Sequence, residues 1–431
     1  MRVSFVCLGC KLNFSETSTW AREFVSAGHE RVDEKAEADM YVINTCSVTA
    51  HADKKCRQAI RQLQKRAPDA KIVVTGCYAQ LQPGEVLDIE GVDLVVGAEQ
   101  KPNLYTLASA LWQQPRRFTL PEKGSISSAR PQSFGCQPEQ IASFFPAYSS
   151  GDRTRSFLKV QDGCNYHCSY CTVPLARGKS RNISIQELVK QAQILADEGV
   201  KEVVLTGVNT GDFGRSTGEN FLDLLKALAT VQGIRRWRVS SIEPNLLTEE
   251  ILVWIAQTPC FMPHFHIPLQ SGSDRILASM GRRYNSALFA NRLAQIRQYL
   301  PQAFIGVDVI VGFPGEDAEA FAETYTLLEQ LAPSFLHIFP YSKRPNTPAA
   351  GFLQQVPEAT KRERVSRLSR LSDRLYAAFC AQNEGRSEEV LFEAAERGGM
   401  MSGFSQNYIK VQRPYEKSKI GEIISVILSE K

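Results

Sequence analysis

Gln161-Asp162-Gly163-Cys164-Asn165-Tyr166-His167-Cys168-Ser169-Tyr170-Cys171 decides the reading of this chain. It follows the apolar run Ser156-Phe157-Leu158-Lys159-Val160, which has the length and composition of a strand. Three thiolates at this spacing can hold only three corners of a cubane iron–sulfur cluster, and the fourth iron stays open to chelate a small molecule. Sites with four cysteines close a zinc ion or a cluster that only passes electrons. A zinc knuckle completed by His167 is the alternative, but His167 falls between two of the cysteines and no second ligand pair follows.

Five more candidate strands follow: Val203–Thr206, Trp237–Ser240, Phe265–Leu269, Ile305–Val311 and Phe335–Phe339, with helical patterns between them. One of these helices, from Ile185 to Ala196, begins with a capping box of Ser184 and Glu187. Six strand–helix units predict a partial βα barrel over residues 151–371, with its active site at the carboxyl ends of the strands. Polar or glycine-rich loops recur at those ends: Thr206, Gly207 and Asn209, then Ser240 and Glu243, then Gln270, then Gly312-Phe313-Pro314-Gly315-Glu316. Such residues suit the ribose and amino-acid ends of a nucleoside cofactor. His266 and His337 are expected to be satisfied barrel histidines.

A second cysteine trio lies upstream. Cys10 follows Val3-Ser4-Phe5-Val6, Cys46 follows Met40-Tyr41-Val42-Ile43, and Cys77 follows Ile72-Val73-Val74. These short runs read as buried parallel strands, and the intervening helices include one with Ser15 as cap and Trp20, Phe24 and Val25 on its apolar face. Residues 1–115 therefore predict a doubly wound α/β sheet whose strand-end loops bring the three cysteines to one crevice. Cys7, Cys56, Cys136, Cys260 and Cys380 read as ordinary thiols. From 116 to 150 the composition turns to Pro121, Gly124, Ser125, Ser127, Ser128, Pro131, Gly135, Pro138 and Pro146, which predicts a linker.

The Cys164/Cys168/Cys171 spacing resembles the radical S-adenosylmethionine superfamily. That resemblance implies a [4Fe-4S] cluster whose open iron binds the amino and carboxylate groups of S-adenosylmethionine, with Tyr170 near the adenine. Together with Cys10, Cys46, Cys77 and Ala176-Arg177-Gly178, the whole chain resembles the radical methylthiotransferase family. The resemblance implies a second three-cysteine cluster that holds sulfur, and a small RNA-binding β-barrel, TRAM-like, over 372–431. Strands there are expected near Glu389–Glu393, Asn407–Val411 and Ile423–Leu428, after a basic helix carrying Lys361, Arg362, Arg364, Arg367, Arg370 and Arg374. It also implies two molecules of S-adenosylmethionine per turnover, a flavodoxin- or ferredoxin-like electron donor and a monomer. Arg177 and Lys159 are expected to face either the cofactor or the nucleotide.

Within the family, Leu8-Gly9-Cys10-Lys11-Leu12-Asn13, Asp39–Thr49 and Ser240-Ser241-Ile242-Glu243-Pro244 resemble the branch acting on N6-threonylcarbamoyladenosine beside the tRNA anticodon. The other branches act on isopentenyladenosine in tRNA or on a ribosomal-protein aspartate. A non-catalytic iron–sulfur protein that binds RNA is the reading from a different class. Eleven cysteines in 431 residues are too sparse for a disulfide scaffold. No run reaches the roughly 18 apolar residues of a membrane helix, and the first residues lack the apolar core of a signal peptide. A cytoplasmic, reduced setting is expected. The net charge of +4 is small, so RNA contact would rest on local clusters: Arg57, Arg61, Lys65 and Arg66; Arg235, Arg236 and Arg238; Arg282 and Arg283; Lys410, Arg413, Lys417 and Lys419. Tyr408 and Tyr415 could stack on bases or fill the small barrel.

Overall fold

A computed structural model of the chain describes residues 1–114 and 132–429. Expected linker residues Pro121, Gly124, Ser125, Ser127, Ser128 and Pro131 lie outside the described residues. The chain divides into two compact units. The first is Met1–Ser149 with Asp162–Tyr166 and Cys171–Arg181; the second is Ser150–Gln161, His167–Tyr170 and Asn182–Lys431.

In the first unit six parallel strands form one sheet: β1 (Arg2–Cys7), β2 (Glu30–Val32), β3 (Met40–Thr45), β4 (Lys71–Gly76), β5 (Val92–Val96) and β6 (Gln132–Phe134). Their order is β2-β1-β3-β4-β5-β6. Strands β3, β4 and β5 are buried along their whole length, which is why they read as continuous apolar runs. Alternate residues feed two cores. Val42, Val73 and Leu94 pack with Trp20, Phe24, Leu104 and Ala108, whereas Tyr41, Ile43, Ile72 and Val74 pack with Ile60 and Leu63. Both faces of the sheet are thus covered by helices, as a doubly wound fold requires.

The first helix, Lys11–Ser26, starts earlier than expected, with Cys10 as its N-cap residue. Ser15 is not its cap but a buried residue whose hydroxyl donates to Leu12 O at 2.9 Å, and Val25 faces outward. The described part of the expected linker is built into this unit. β6 pairs with β5, and Phe145 stacks on Trp20 with ring centroids 5.3 Å apart. A three-residue edge strand followed by singly spaced apolar anchors leaves no period for the sequence to display.

The second unit holds β7 (Ser156–Lys159), β8 (Glu202–Thr206), β9 (Arg236–Val239), β10 (His264–Gln270), β11 (Phe304–Val311) and β12 (Phe335–Pro340). They form two parallel three-stranded sheets, β7-β8-β9 and β10-β11-β12, linked by a bridge between Ser241 and His266. All six expected strands are present, and the partial barrel is the result. Ser184 caps the helix Ile185–Asp197 by accepting from Glu187 N at 3.3 Å, while the Glu187 carboxylate pairs with Lys190.

After the helix Glu358–Gln382 comes a four-stranded antiparallel sheet in the order β15-β14-β13-β16, comprising β13 (Ser387–Arg397), β14 (Met400–Ser405), β15 (Lys410–Pro414) and β16 (Ile423–Ile427). The boundary expected at residue 372 falls inside that helix, while the first strand of the sheet lies where one was expected, near Glu389. β14 escaped the sequence because its Met400-Met401-Ser402-Gly403 start lacks the β-branched residues that mark a strand. The sheet docks on the amino-terminal ends of the barrel strands. Arg236 donates to Glu389 O at 2.7 Å, and Arg238 to Ser405 O and Gln406 O at 2.8 Å each. Both arginines are buried against Glu202.

Candidate active site

The order of the first sheet reverses between β1 and β3, the place where doubly wound folds open a crevice at the carboxyl ends of their strands. Cys10 follows β1, Cys46 follows β3 and Cys77 follows β4. They converge as expected: burial pushes the Cys46 thiol up to about 12, and the neighbouring Cys77 and Cys10 push it the same way. Cys10 is exposed at the start of a helix, Cys46 is buried and Cys77 half-buried. Cys7 is half-buried at the end of β1, and burial raises its thiol. Cys56 is fully buried, its thiol 3.5 Å from Cys46 O.

Gly76 holds the last two loops together. It has φ +98°, and a Cβ there would come within 2.3 Å of Thr45 O and 2.5 Å of Asn44 Oδ1. Gly76→Ala is expected to force the Cys46 and Cys77 loops apart and to lower iron bound by the N-terminal trio several-fold, because both the left-handed backbone and the close approach need glycine. Iron analysis of a variant that lacks the other three cysteines checks this.

A buried polar network underlies the crevice. Asn13 donates to Asn44 Oδ1 at 2.7 Å and to Thr45 O at 2.9 Å, and the Cys10 thiol lies 3.2 Å from Asn13 Oδ1. Arg177 joins it with bonds to Asn13 Oδ1 (2.9 Å), Glu16 Oε1 (3.2 Å) and Asp162 Oδ1 (2.9 Å). Lys101 holds the other Glu16 oxygen at 2.6 Å. Burial works against the Arg177 charge, but Glu16 and Asp162 outweigh it and hold the guanidinium firmly protonated. Arg177 thus belongs to the N-terminal trio's surroundings, a placement its Ala-Arg-Gly context did not decide.

The cysteine loop after β7 is divided between the units. In the first, Cys164 N donates to Gly178 O at 3.0 Å, and the sulfurs of Cys164 and Cys171 accept from Tyr166 N and Val173 N at 3.4 Å each. Gly163, at φ +72°, passes so close to Lys179 O that a Cβ would lie 2.1 Å from it. In the second unit Cys168 is buried, and its sulfur accepts from Arg282 at 3.1 Å. Burial raises the Cys168 thiol, with Arg282 opposing. His167 is exposed. Among the described residues no group of three or more His, Cys, Asp or Glu is placed to hold a single metal ion. In a cubane each thiolate takes a different iron, so three such ligands stand farther apart than the ligands of one ion; the donor set fits a cluster.

The barrel's strand ends present buried polar atoms that find no partner in the protein. Among the described residues these include Asn209 Nδ2, Ser240 Oγ, Gln270 Oε1, Ser273 Oγ and Tyr341 OH. Unpaired buried groups are costly and call for a ligand or water. They lie at or just beyond the ends of β8, β9, β10 and β12, where an adenosyl and amino-acid ligand would find donors and acceptors. Asn209 is fixed by its backbone N–H to Gln161 Oε1 at 3.0 Å, and Gln270 is held at φ +67°. Thr206 ends β8, buried, and Gly207 lies beside Gln161. Tyr170 is half-buried, edge-on to Phe313 at 6.2 Å. Glu243 is already ion-paired with Arg282, which also donates to Tyr170 OH at 3.3 Å. His266 is satisfied as expected, its Nε2 being 2.6 Å from Asp308 Oδ1.

Arg282, Gln161 and Tyr341 are residues that the sequence did not assign to the cofactor end of the barrel. Arg282 read as a surface cation because it precedes a second arginine. Burial also removes Arg236 and Arg238 from the RNA-facing set, and on the basic helix ahead of the small sheet Lys361 and Arg364 are buried as well. Arg364 pairs with Glu316 at 2.5 Å, and Lys361 with Glu358 at 2.7 Å. Tyr408 is no free stacking platform: its ring stacks on Phe404 at 4.6 Å and meets His264 at 4.4 Å. Tyr415 packs against the cluster of Val390, Phe392 and Met401 inside the small sheet.

Residues 2–97 match the family described as Uncharacterized protein family UPF0004, and residues 158–328 match the Radical SAM superfamily. The chain is 42% identical over 430 residues to the threonylcarbamoyladenosine tRNA methylthiotransferase MtaB of Bacillus subtilis, covering 98% of this chain and 93% of that protein. It is 38% identical to the protein of that name from Aquifex aeolicus, covering 99% and 100%. It is 34% identical to a tRNA-2-methylthio-N(6)-dimethylallyladenosine synthase from Thermobifida fusca, covering 90% and 77%. Among solved structures, a radical S-adenosylmethionine methyltransferase, TsrM, from Kitasatospora setae shares the fold with a TM-score of 0.57 at 16% identity, covering 93% of this chain and 80% of that one. Full-length identity to named enzymes, with both cysteine trios in place, makes the chain a member of the radical S-adenosylmethionine tRNA methylthiotransferase family.

Proposed function

We propose that the chain converts N6-threonylcarbamoyladenosine at position 37, next to the tRNA anticodon, to its 2-methylthio derivative. The observation that carries this is the 42% and 38% identity, over nearly the whole chain, to two enzymes named for that nucleoside. Cys164, Cys168 and Cys171 are assigned to one [4Fe-4S] cluster, and Cys10, Cys46 and Cys77 to the other. Replacing hydrogen on an unactivated aromatic carbon is beyond ordinary acid–base chemistry; bound S-adenosylmethionine and the two clusters supply a carbon-centred radical and a site for sulfur.

The protein's part is to bind and orient. Asn209, Ser240 and Gln270 offer unpaired polar atoms to the cofactor's ribose and amino-acid ends. Arg282, anchored by Glu243, places a cation on the Cys168 sulfur. The partners that go with this reading are the tRNA anticodon stem-loop and a low-potential flavodoxin- or ferredoxin-like donor, with the enzyme acting as a cytoplasmic monomer. No helix among the described residues is long and apolar enough to cross a membrane. The four-stranded sheet takes the role of the TRAM-like RNA-binding module, with Lys410, Arg413, Lys417 and Lys419 as its cations.

Expression in a bacterium lacking its own methylthiotransferases tests the substrate. Nucleoside analysis of its tRNA is expected to show methylthio-threonylcarbamoyladenosine restored and isopentenyladenosine unmodified. The reverse pattern would move the chain to the isopentenyladenosine branch, and unmodified tRNA with an altered ribosomal protein would move it to the aspartate branch.

A further inference from the structure

The short helix Val173–Arg177 packs against the helix Cys77–Leu81, which begins at a cysteine of the N-terminal trio. Arg177 ends the first of these helices and is only 3% exposed. Its bond to Asn13 Oδ1 reaches the residue that also faces the Cys10 thiol and ties down Asn44 and Thr45, directly before Cys46. The guanidinium therefore reaches the Cys10 and Cys46 loops through Asn13, and its own helix packs against the one that opens at Cys77, so Arg177 is tied to all three segments that carry the trio. Its other bonds go to Glu16 and to Asp162, two residues before Cys164.

Charge sharpens the picture. Glu16 and Asp162 are the anions of the network; Lys101 lies 2.6 Å from Glu16, and Arg181 lies 3.4 Å from Asp162. Arg177 touches both anions and is the network's cation facing Asn13. A desolvated cation beside an iron–sulfur cluster favours the reduced, more negative state, and a carboxylate disfavours it.

We infer that Arg177 is a positioning residue for the N-terminal thiolates, fixing the Cys10, Cys46 and Cys77 loops and raising the reduction potential of a cluster held there. This rests on the proposed assignment of that trio as cluster ligands. Arg177 comes from the segment that carries Cys164 and Cys171, so residues of one cysteine loop tune the site formed by the other trio.

The test uses the full chain with Cys164, Cys168 and Cys171 all changed to alanine, reconstituted anaerobically with iron and sulfide. Iron content and an EPR-monitored redox titration are read on this parent and its variants. Arg177→Met is expected to shift the potential negative, and Glu16→Gln to shift it positive. Arg177→Lys keeps the charge but not the planar fork, so its potential stays near the parent's while a chelator strips its iron several-fold faster. General structural damage would not produce opposite signs. If Arg177→Met does not fold, the near-isosteric Glu16→Gln carries the test alone. Unshifted potentials, or shifts of one sign in both variants, overturn the inference. A parent that binds no iron overturns the reading of the trio itself, which is a different failure.

Discussion

Cys168→Ala abolishes release of 5′-deoxyadenosine, whereas Cys46→Ala leaves it within about twofold of the parent and stops methylthiolation, because the two thiols have separate partners and residues that share none act independently. The expectation follows from where the two thiols sit. Cys168 belongs to the barrel unit, with its sulfur bonded to Arg282, and Arg282 is fixed by Glu243 at the end of β9. Cys46 follows β3 in the other unit, facing Cys77 and Cys10. Loss of one ligand from a three-thiolate site leaves two, too few to retain a cubane. Chromatography of the cofactor products, beside nucleoside mass spectrometry, measures both halves. Equal loss of cofactor cleavage in the two variants would remove the division of labour.

Glu202→Ala lowers stability by about 3–5 kcal/mol, the range for breaking a buried ion pair from one side. Glu202 is fully buried at the start of β8, 2.7 Å from Arg238 Nε, 3.5 Å from Arg236 and 3.9 Å from Arg155. Three guanidinium groups hold its carboxyl below the usual range against burial, led by Arg238 and Arg155. Arg236 and Arg238 also carry the antiparallel sheet, through the carbonyls of Glu389, Phe404, Ser405 and Gln406, and Arg155 reaches it through the side chains of Glu393 and Tyr408. Removing the carboxylate leaves the buried Arg238 with carbonyl and ring contacts, Arg236 with Glu389 at 3.8 Å and Arg155 with Glu393 at 2.8 Å. The thermal midpoint is expected to fall on the order of 10 °C, and limited proteolysis to cut before β13 well below the temperature at which the barrel melts. Lys190→Ala, which removes an exposed pair with Glu187, is expected to leave the midpoint unchanged.

Strands buried on both faces announce themselves, and so Val3–Val6, Met40–Ile43 and Ile72–Val74 were legible; the six barrel strands were legible too, including Phe335–Pro340, whose end is exposed but whose run is apolar. Cysteine spacing pointed to the family in the same direct way, because the family's motifs fix specific residue types at specific separations. What stayed hidden was long-range pairing. Arg236, Arg238 and Arg282 look like RNA-facing cations in sequence, and only the fold reveals the carboxylates Glu202 and Glu243 that bury them. β2 and β6, three residues each at opposite edges of the sheet, are too short to show a period. Tyr408 could equally have been a stacking platform or a packing residue, and the turn it occupies at φ +66° against Phe404 and His264 decides the matter. Arg177 kept its ambiguity for the same reason: its partners Asn13 and Glu16 lie far away in the chain.

The most direct test of the account is anaerobic reconstitution of the full chain with iron and sulfide, followed by incubation with dithionite, S-adenosylmethionine and tRNA bearing threonylcarbamoyladenosine. Mass spectrometry of the digested nucleosides then reads the outcome. The account expects that nucleoside to gain one thiomethyl group in place of hydrogen, with 5′-deoxyadenosine formed alongside. A cluster-loaded enzyme that yields neither product would contradict it.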